Sequence, residues 1–94
     1  MSNIARLGDK CSGHGCFPSR PNNQASSNVF VNSIGIHRKG DSWAVHCCTT
    51  CHSSVLAEGS SSVFINGIEC GRIGDPVACG SAVIQGSPNV FAGD

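Results

Sequence analysis

Residues 26–41, SSNVFVNSIGIHRKGD, and residues 60–75, SSSVFINGIECGRIGD, carry the same Ser, Val, Phe, Asn, Ile, Arg, Gly and Asp at an offset of 34 residues. The chain begins on the tail of the same unit, Ile4-Ala5-Arg6-Leu7-Gly8-Asp9, and ends on its head, Gly86-Ser87-Pro88-Asn89-Val90-Phe91-Ala92. The sequence is therefore a threefold internal repeat with a partial unit at each end. A fixed period of this length marks stacked or symmetric supersecondary units.

Inside one unit the strand signals are short. Val55-Leu56-Ala57 is followed by a Gly-Ser turn, by Val63-Phe64-Ile65, by Asn66-Gly67 and by a segment from Ile68 to Ile73. Asn-Gly between β-favouring runs is a strong hairpin signal, because both residues tolerate positive φ. The earlier copy keeps Asn32 but has Ser33 in place of Gly, and Ala82-Val83-Ile84 with Val90-Phe91 supplies the third copy. Twelve glycines and few Glu, Lys or Leu leave almost no helix signal. The predicted fold is all-β: short meanders around a pseudo-threefold axis, in a single domain spanning residues 1–94. Strands Val29–Val31 and Val63–Ile65 are apolar on both faces, more than so small a unit can bury by itself.

Composition narrows the function. Six Lys+Arg balance six Asp+Glu, which argues against nucleic acid and against a polybasic membrane surface. No apolar run approaches the length of a membrane-spanning helix, and no charged-then-apolar leader opens the chain, so synthesis in the cytoplasm is expected. Only 39% of residues are hydrophobic and 5% aromatic, so a further source of stability is needed.

Seven cysteines and four histidines suggest that source. An odd count leaves a thiol over in any disulfide scaffold, and a reducing compartment favours metal over disulfide as the cross-link. His52 and Cys79 each lie eight residues before a repeat serine, Ser60 and Ser87; His14 and His46 each follow a repeat aspartate, Asp9 and Asp41, by five. Pseudo-threefold symmetry brings such positions to one point. The predicted metal set is His14, His46, His52 and Cys79, a His₃Cys constellation suited to one tetrahedral, structural Zn²⁺ with no open position for catalysis. No enzymatic site is expected.

Other candidates read more simply. His37 falls in the Ile34–Arg38 strand and is expected at the surface; Cys70 is expected in the core, and Trp43, in the long loop 41–58, as a packing residue. Cys48-Thr49-Thr50-Cys51 is a C-x-x-C without the βαβ context of a redox site. Cys51-His52 is a poor nucleophile–base pair, because neighbours on an extended chain point to opposite faces. Cys11, Cys16, Cys47, Cys48 and Cys51 crowd the same loops and could pack around the site, replace a ligand or pair when oxidised. Arg-x-Gly-Asp recurs at 6–9, 38–41 and 72–75 and reads as a turn with an ion pair in the same or a neighbouring copy.

The repeated Gly-Ser…Val-Phe…Asn-Gly…Arg-x-Gly-Asp frame, with a His or Cys ahead of each unit, resembles the proline-alanine-alanine-arginine (PAAR) repeat proteins over nearly the whole chain. The naming tetrapeptide is replaced by Asn3-Ile4-Ala5-Arg6, Gly35-Ile36-His37-Arg38 and Glu69-Cys70-Gly71-Arg72, in which only Arg is constant. The resemblance implies a small cone capping the trimeric β-helical spike (VgrG-like or phage) of a type VI secretion system or contractile phage tail. It also implies zinc near the point, on His14, His46, His52 and Cys79. One monomer per trimer, transient contact with a target membrane and possible effector cargo follow from it, with no toxin domain expected in these residues. The alternative is a free-standing zinc-binding interaction adaptor that binds through the loops around Trp43.

Overall fold

The structure, a computed structural model, describes residues 2–93. It holds eight short strands: β1 (Ser2–Asn3), β2 (Phe30–Val31), β3 (Ile34–Gly35), β4 (Ser42–Cys48), β5 (Thr50–Val55), β6 (Phe64–Ile65), β7 (Ile68–Glu69) and β8 (Phe91–Ala92). No helix occurs among the described residues. The strands pair antiparallel as β1–β8, β2–β3, β4–β5 and β6–β7.

Three of these pairs are copies of one hairpin. Val31 faces Ile34 across Asn32-Ser33, and Ile65 faces Ile68 across Asn66-Gly67. Both residues of each turn have positive φ (53° and 63°; 58° and 77°), the geometry that matches the right-handed strand twist. In the third copy the two ends of the chain supply the strands, with Ala92 opposite Ser2 and Phe91 opposite Asn3.

The repeats meet in a closed ring of backbone hydrogen bonds. The amide of Ala5 donates to the carbonyl of Gly71 (2.9 Å), Gly71 to His37 (2.8 Å) and His37 to Ala5 (3.0 Å). A second ring follows one step along: Leu7 to Gly35, Lys39 to Glu69 and Ile73 to Asn3, at 2.8–2.9 Å. Such rings satisfy the backbone where three extended segments converge and no flat sheet can form. Each Arg-x-Gly-Asp turn closes on itself. Asp9, Asp41 and Asp75 accept from the backbone amide and the guanidinium of Arg6, Arg38 and Arg72, so the ion pairs are within a copy.

Side chains repeat the symmetry. One core cluster joins Ile4, Ile36 and Cys70 with Val31, Ile65 and Ala92, flanked by Val29, Val63 and Val90. Beside it the serines Ser26, Ser60 and Ser87 are buried, and each hydroxyl accepts from the amides two and three residues on. A second cluster of Ala5, Cys11, Trp43, Leu56, Val77 and Val83 keeps the repeat too: Cys11, Trp43 and Val77 each follow a repeat aspartate by two residues, and Leu56 and Val83 each precede a repeat serine by four. Cys70 and Trp43 are core residues as expected, and burial pushes the Cys70 thiol up to about 11, with Asp75 adding to it.

His37 is not a surface residue. It is fully buried at the axis, where its copies are Ala5 and Gly71. Those two are small enough to leave room for one imidazole. Its Nδ1–H donates to the carbonyl of Gln24 at 2.7 Å, and its ring meets the indole of Trp43 edge-on at 5.1 Å. Burial, only partly offset by the Gln24 bond and by Asp41, holds its pKa below the ordinary value.

Candidate metal centre

The segment 41–58 is not a loop. Most of it forms β4 and β5, which extend beyond the three-copy frame and turn at Thr49, whose φ is +60°. No Gly or Asn marks that turn, which is why the sequence did not disclose it. Across the pair His46 faces His52, Cys47 faces Cys51 and Cys48 faces Thr50, with an irregularity between Trp43 and His46.

The register turns both histidines to one side. Strand neighbours alternate, so His46 is buried and His52 half-buried, while Cys47 and Cys51 are exposed. The third histidine comes from a tight turn in which the amides and carbonyls of His14 and Phe17 bond reciprocally, at 3.1 and 2.8 Å. Cys79 comes from the turn closed by Val77 to Ser81 (2.8 Å) and Gly80 to Val77 (2.9 Å). The structure thus brings together all four side chains singled out by the repeat: one ligand atom from each of His14, His46, His52 and Cys79 lies within 4.8 Å of every other.

The Nε2 atom of His52 is 2.6 Å from that of His46 and 3.1 Å from that of His14. Phe17 covers the rings, its centroid 4.8, 4.8 and 4.3 Å from those of His14, His46 and His52. His46 is oriented from behind, its Nδ1–H donating to the carbonyl of Pro18 at 2.8 Å, which leaves the Nε2 lone pair facing the cluster. Burial would raise the Cys79 thiol, but the amide and hydroxyl of Ser81, the guanidinium of Arg20 and the ring of His52 outweigh it and hold its pKa at about 5. It is a thiolate at neutral pH, the form that binds metal. Three inward imidazole nitrogens, one ionised sulfur and an apolar cover are the donor chemistry of a tetrahedral Zn²⁺ site, and the residues fit such an ion.

Two disulfides lie beside this cluster. Cys16 bonds Cys48 with Cα atoms 5.7 Å apart, joining the His14 turn to the end of β4; Cys47 bonds Cys51 across the hairpin at 4.1 Å. The sequence left these cysteines open between packing, ligation and pairing on oxidation; the structure pairs Cys16, Cys47, Cys48 and Cys51 and leaves Cys11 free. Cys48 and Cys51 take different partners, so C-x-x-C is not a redox pair here. Cys11, Cys70 and Cys79 are free thiols. Arg20, which sequence reasoning passed over, is buried against the sulfur side of the cluster. A lone arginine outside the repeat gives no signal.

The PAAR motif family profile matches residues 21–85, well over half of the chain. Two toxins of Pseudomonas aeruginosa are similar to it. The NAD(P)(+) glycohydrolase toxin Tse6 of strain PAO1 is 34% identical over 77 residues, 74% of this chain. The (p)ppApp synthetase toxin Tas1 of strain UCBPP-PA14 matches with the same identity and coverage. This chain spans 18% of the length of each of them. With its threefold frame and family match together, the chain belongs to the PAAR motif family.

Proposed function

We propose that this chain is a spike-tip protein. It caps a trimeric β-helical spike as one monomer per trimer, and one structural Zn²⁺ held by His14, His46, His52 and Cys79 stiffens its point. The supporting observation is a set of three exposed aromatics at one repeat position. Phe30, Phe64 and Phe91 are 57, 54 and 47% exposed, although their strand neighbours Val31, Ile65 and Ala92 are buried. A monomer with three equivalent apolar contacts, each next to a short strand edge, matches a partner with true threefold symmetry. Burying the exposed half of each phenylalanine would contribute about 0.7–1.5 kcal/mol.

The phenylalanines adjoin one core cluster through their buried strand neighbours, and Cys79 packs against the other, so base and point belong to different parts of the molecule. The mechanism is mechanical. A contractile machine drives the spike, and the cross-linked point concentrates force on the target membrane. The activities named for the two relatives are not carried over; what they share with this chain is proposed to be the carrier, with effector cargo as a further partner. The chain is proposed to be made in the cytoplasm and delivered with the spike to the target envelope, from a secretion apparatus or a phage tail.

Native mass spectrometry of the chain mixed with a recombinant trimeric β-helical spike tests this. One monomer per trimer is expected, with binding lost in the Phe30→Asp/Phe64→Asp/Phe91→Asp variant. Three monomers per trimer, or undiminished binding by that variant, overturns the proposal.

A further inference from the structure

Arg20 is only 4% exposed, and a buried guanidinium is costly unless its charge and its donors are met. Arg6, Arg38 and Arg72 each pair with the aspartate three residues on; Arg20 pairs with no carboxylate among the described residues. Its Nε donates to the carbonyl of Ala44 at 2.7 Å, its Nη1 to Cys11 Sγ at 3.0 Å and its Nη2 to Cys79 Sγ at 3.4 Å. The guanidinium lies over Trp43, 5.5 Å from the ring centroid.

We infer that Arg20 is a positioning residue of the metal centre, a rigid fork that fixes Cys79 Sγ against the strand carrying His46 and donates a charge-assisted hydrogen bond to the ligating sulfur. This rests on the reading of Cys79 as a ligand. Ala44 lies on β4 two residues before His46, whereas Cys79 sits on a separate turn. One planar group bonded to both ties the two ligands directly, where the backbone links them only by way of Ala78, Val55 and the β4–β5 pairing. An ammonium on a flexible stem lacks that geometry. The hydrogen bond also draws electron density from the sulfur, which sets how strongly it donates to the metal. Outer partners of this kind alter metal affinity by about 10–100-fold when removed.

The test loads wild type, Arg20→Met, Arg20→Lys, Trp43→Phe and Cys79→Ser with Co²⁺ and records the sulfur-to-cobalt charge-transfer band. Release of Zn²⁺ to a chelator is followed in parallel. Wild type is expected to show the band and Cys79→Ser to lack it. Arg20→Met should move the band to longer wavelength and speed zinc release at least tenfold, with Arg20→Lys intermediate. Trp43→Phe, which disturbs packing but not the sulfur, should leave the band in place. An unmoved band and unchanged release in Arg20→Met, or in Arg20→Lys where the Met variant does not fold, overturns the role of Arg20. A wild-type cobalt spectrum without the band overturns the assignment of Cys79 instead.

Discussion

His46 and His52 face each other across β4 and β5 with their Nε2 atoms 2.6 Å apart. The Nδ1–H of His46 is committed to Pro18, so its Nε2 is a bare acceptor. His52 Nε2 must then also serve His14 at 3.1 Å, and one ring proton cannot satisfy both. A cation at the centre satisfies all three. His52→Ala is therefore expected to abolish stoichiometric zinc binding and to cost several kcal/mol, since structural zinc contributes roughly 10–16 kcal/mol in small folds. Elemental analysis and thermal melts check it, and one zinc per chain in the variant would refute the ligand set.

The disulfides and the proposed metal site tie overlapping segments. Cys16 and Cys48 are 32 residues apart, and closing a loop of that size stabilises by about 3–4 kcal/mol on the chain-entropy account. Chelator alone and reductant alone should each lower the melting temperature. Together they should release amide protection in residues 42–55 and 12–18 before the Ala5–His37–Gly71 ring opens. Hydrogen exchange resolved by segment reads this directly; simultaneous loss of both regions would contradict it.

His37 gives the fold a pH dependence of known sign. Its pKa is depressed in the folded protein by burial, so the folded state keeps the ring neutral while the unfolded chain protonates near pH 6.5. The stabilisation is complete above that pH and is lost as the pH falls below it, by up to about 1.4 kcal/mol per unit. Asp9, Asp41 and Arg38 act on the same ring, and the two carboxylates moderate the effect. His37→Asn keeps a donor for Gln24 and removes the titration, so its stability should fall less steeply than that of wild type between pH 6.5 and 5. His37→Ala should cost about 2–4 kcal/mol at pH 7. Parallel denaturant titrations across this range check both.

The 34-residue offset was enough to place the axis, because residues that repeat in sequence must repeat in space when they pack on copies of themselves. Counting from the repeat aspartates and serines singled out His14, His46, His52 and Cys79, whose ligand atoms lie within 4.8 Å of one another. What it could not convey is how three equivalent positions share one point. Ala5, His37 and Gly71 occupy the same site on the axis, and only their combined volume shows that the imidazole fits inside. The β4–β5 hairpin escaped because its turn at Thr49 carries none of the usual residues. Arg20 escaped because it lies outside the repeated motif and its partners, Cys11, Ala44 and Cys79, share no common spacing from it.

Gly71 tests the axis from the opposite side. A Cβ there would lie 2.9 Å from the carbonyl oxygen of His37 and 2.9 Å from Cδ2 of Leu56. That carbonyl accepts the bond from Gly71 itself, so it cannot retreat without opening the ring. Gly71→Ala is expected to cost about 1–3 kcal/mol, in the range of overpacked cores. A denaturant midpoint equal to that of wild type would show that the ring yields.

Ser33 and Gly67 occupy the same turn position in two copies, at φ 63° and 77°. An L side chain in this left-handed region costs roughly 1–2 kcal/mol, a cost that Gly67 avoids. Ser33 is exposed, and a loss of its side chain removes no buried contact. The greater freedom of glycine in the unfolded chain takes back part of the gain. Ser33→Gly should therefore stabilise the β2–β3 hairpin by about 0.5–1 kcal/mol without altering zinc content. Equilibrium unfolding of the metal-loaded protein measures it. A destabilised variant would mean that the two copies of the hairpin are not energetically equivalent despite their shared geometry.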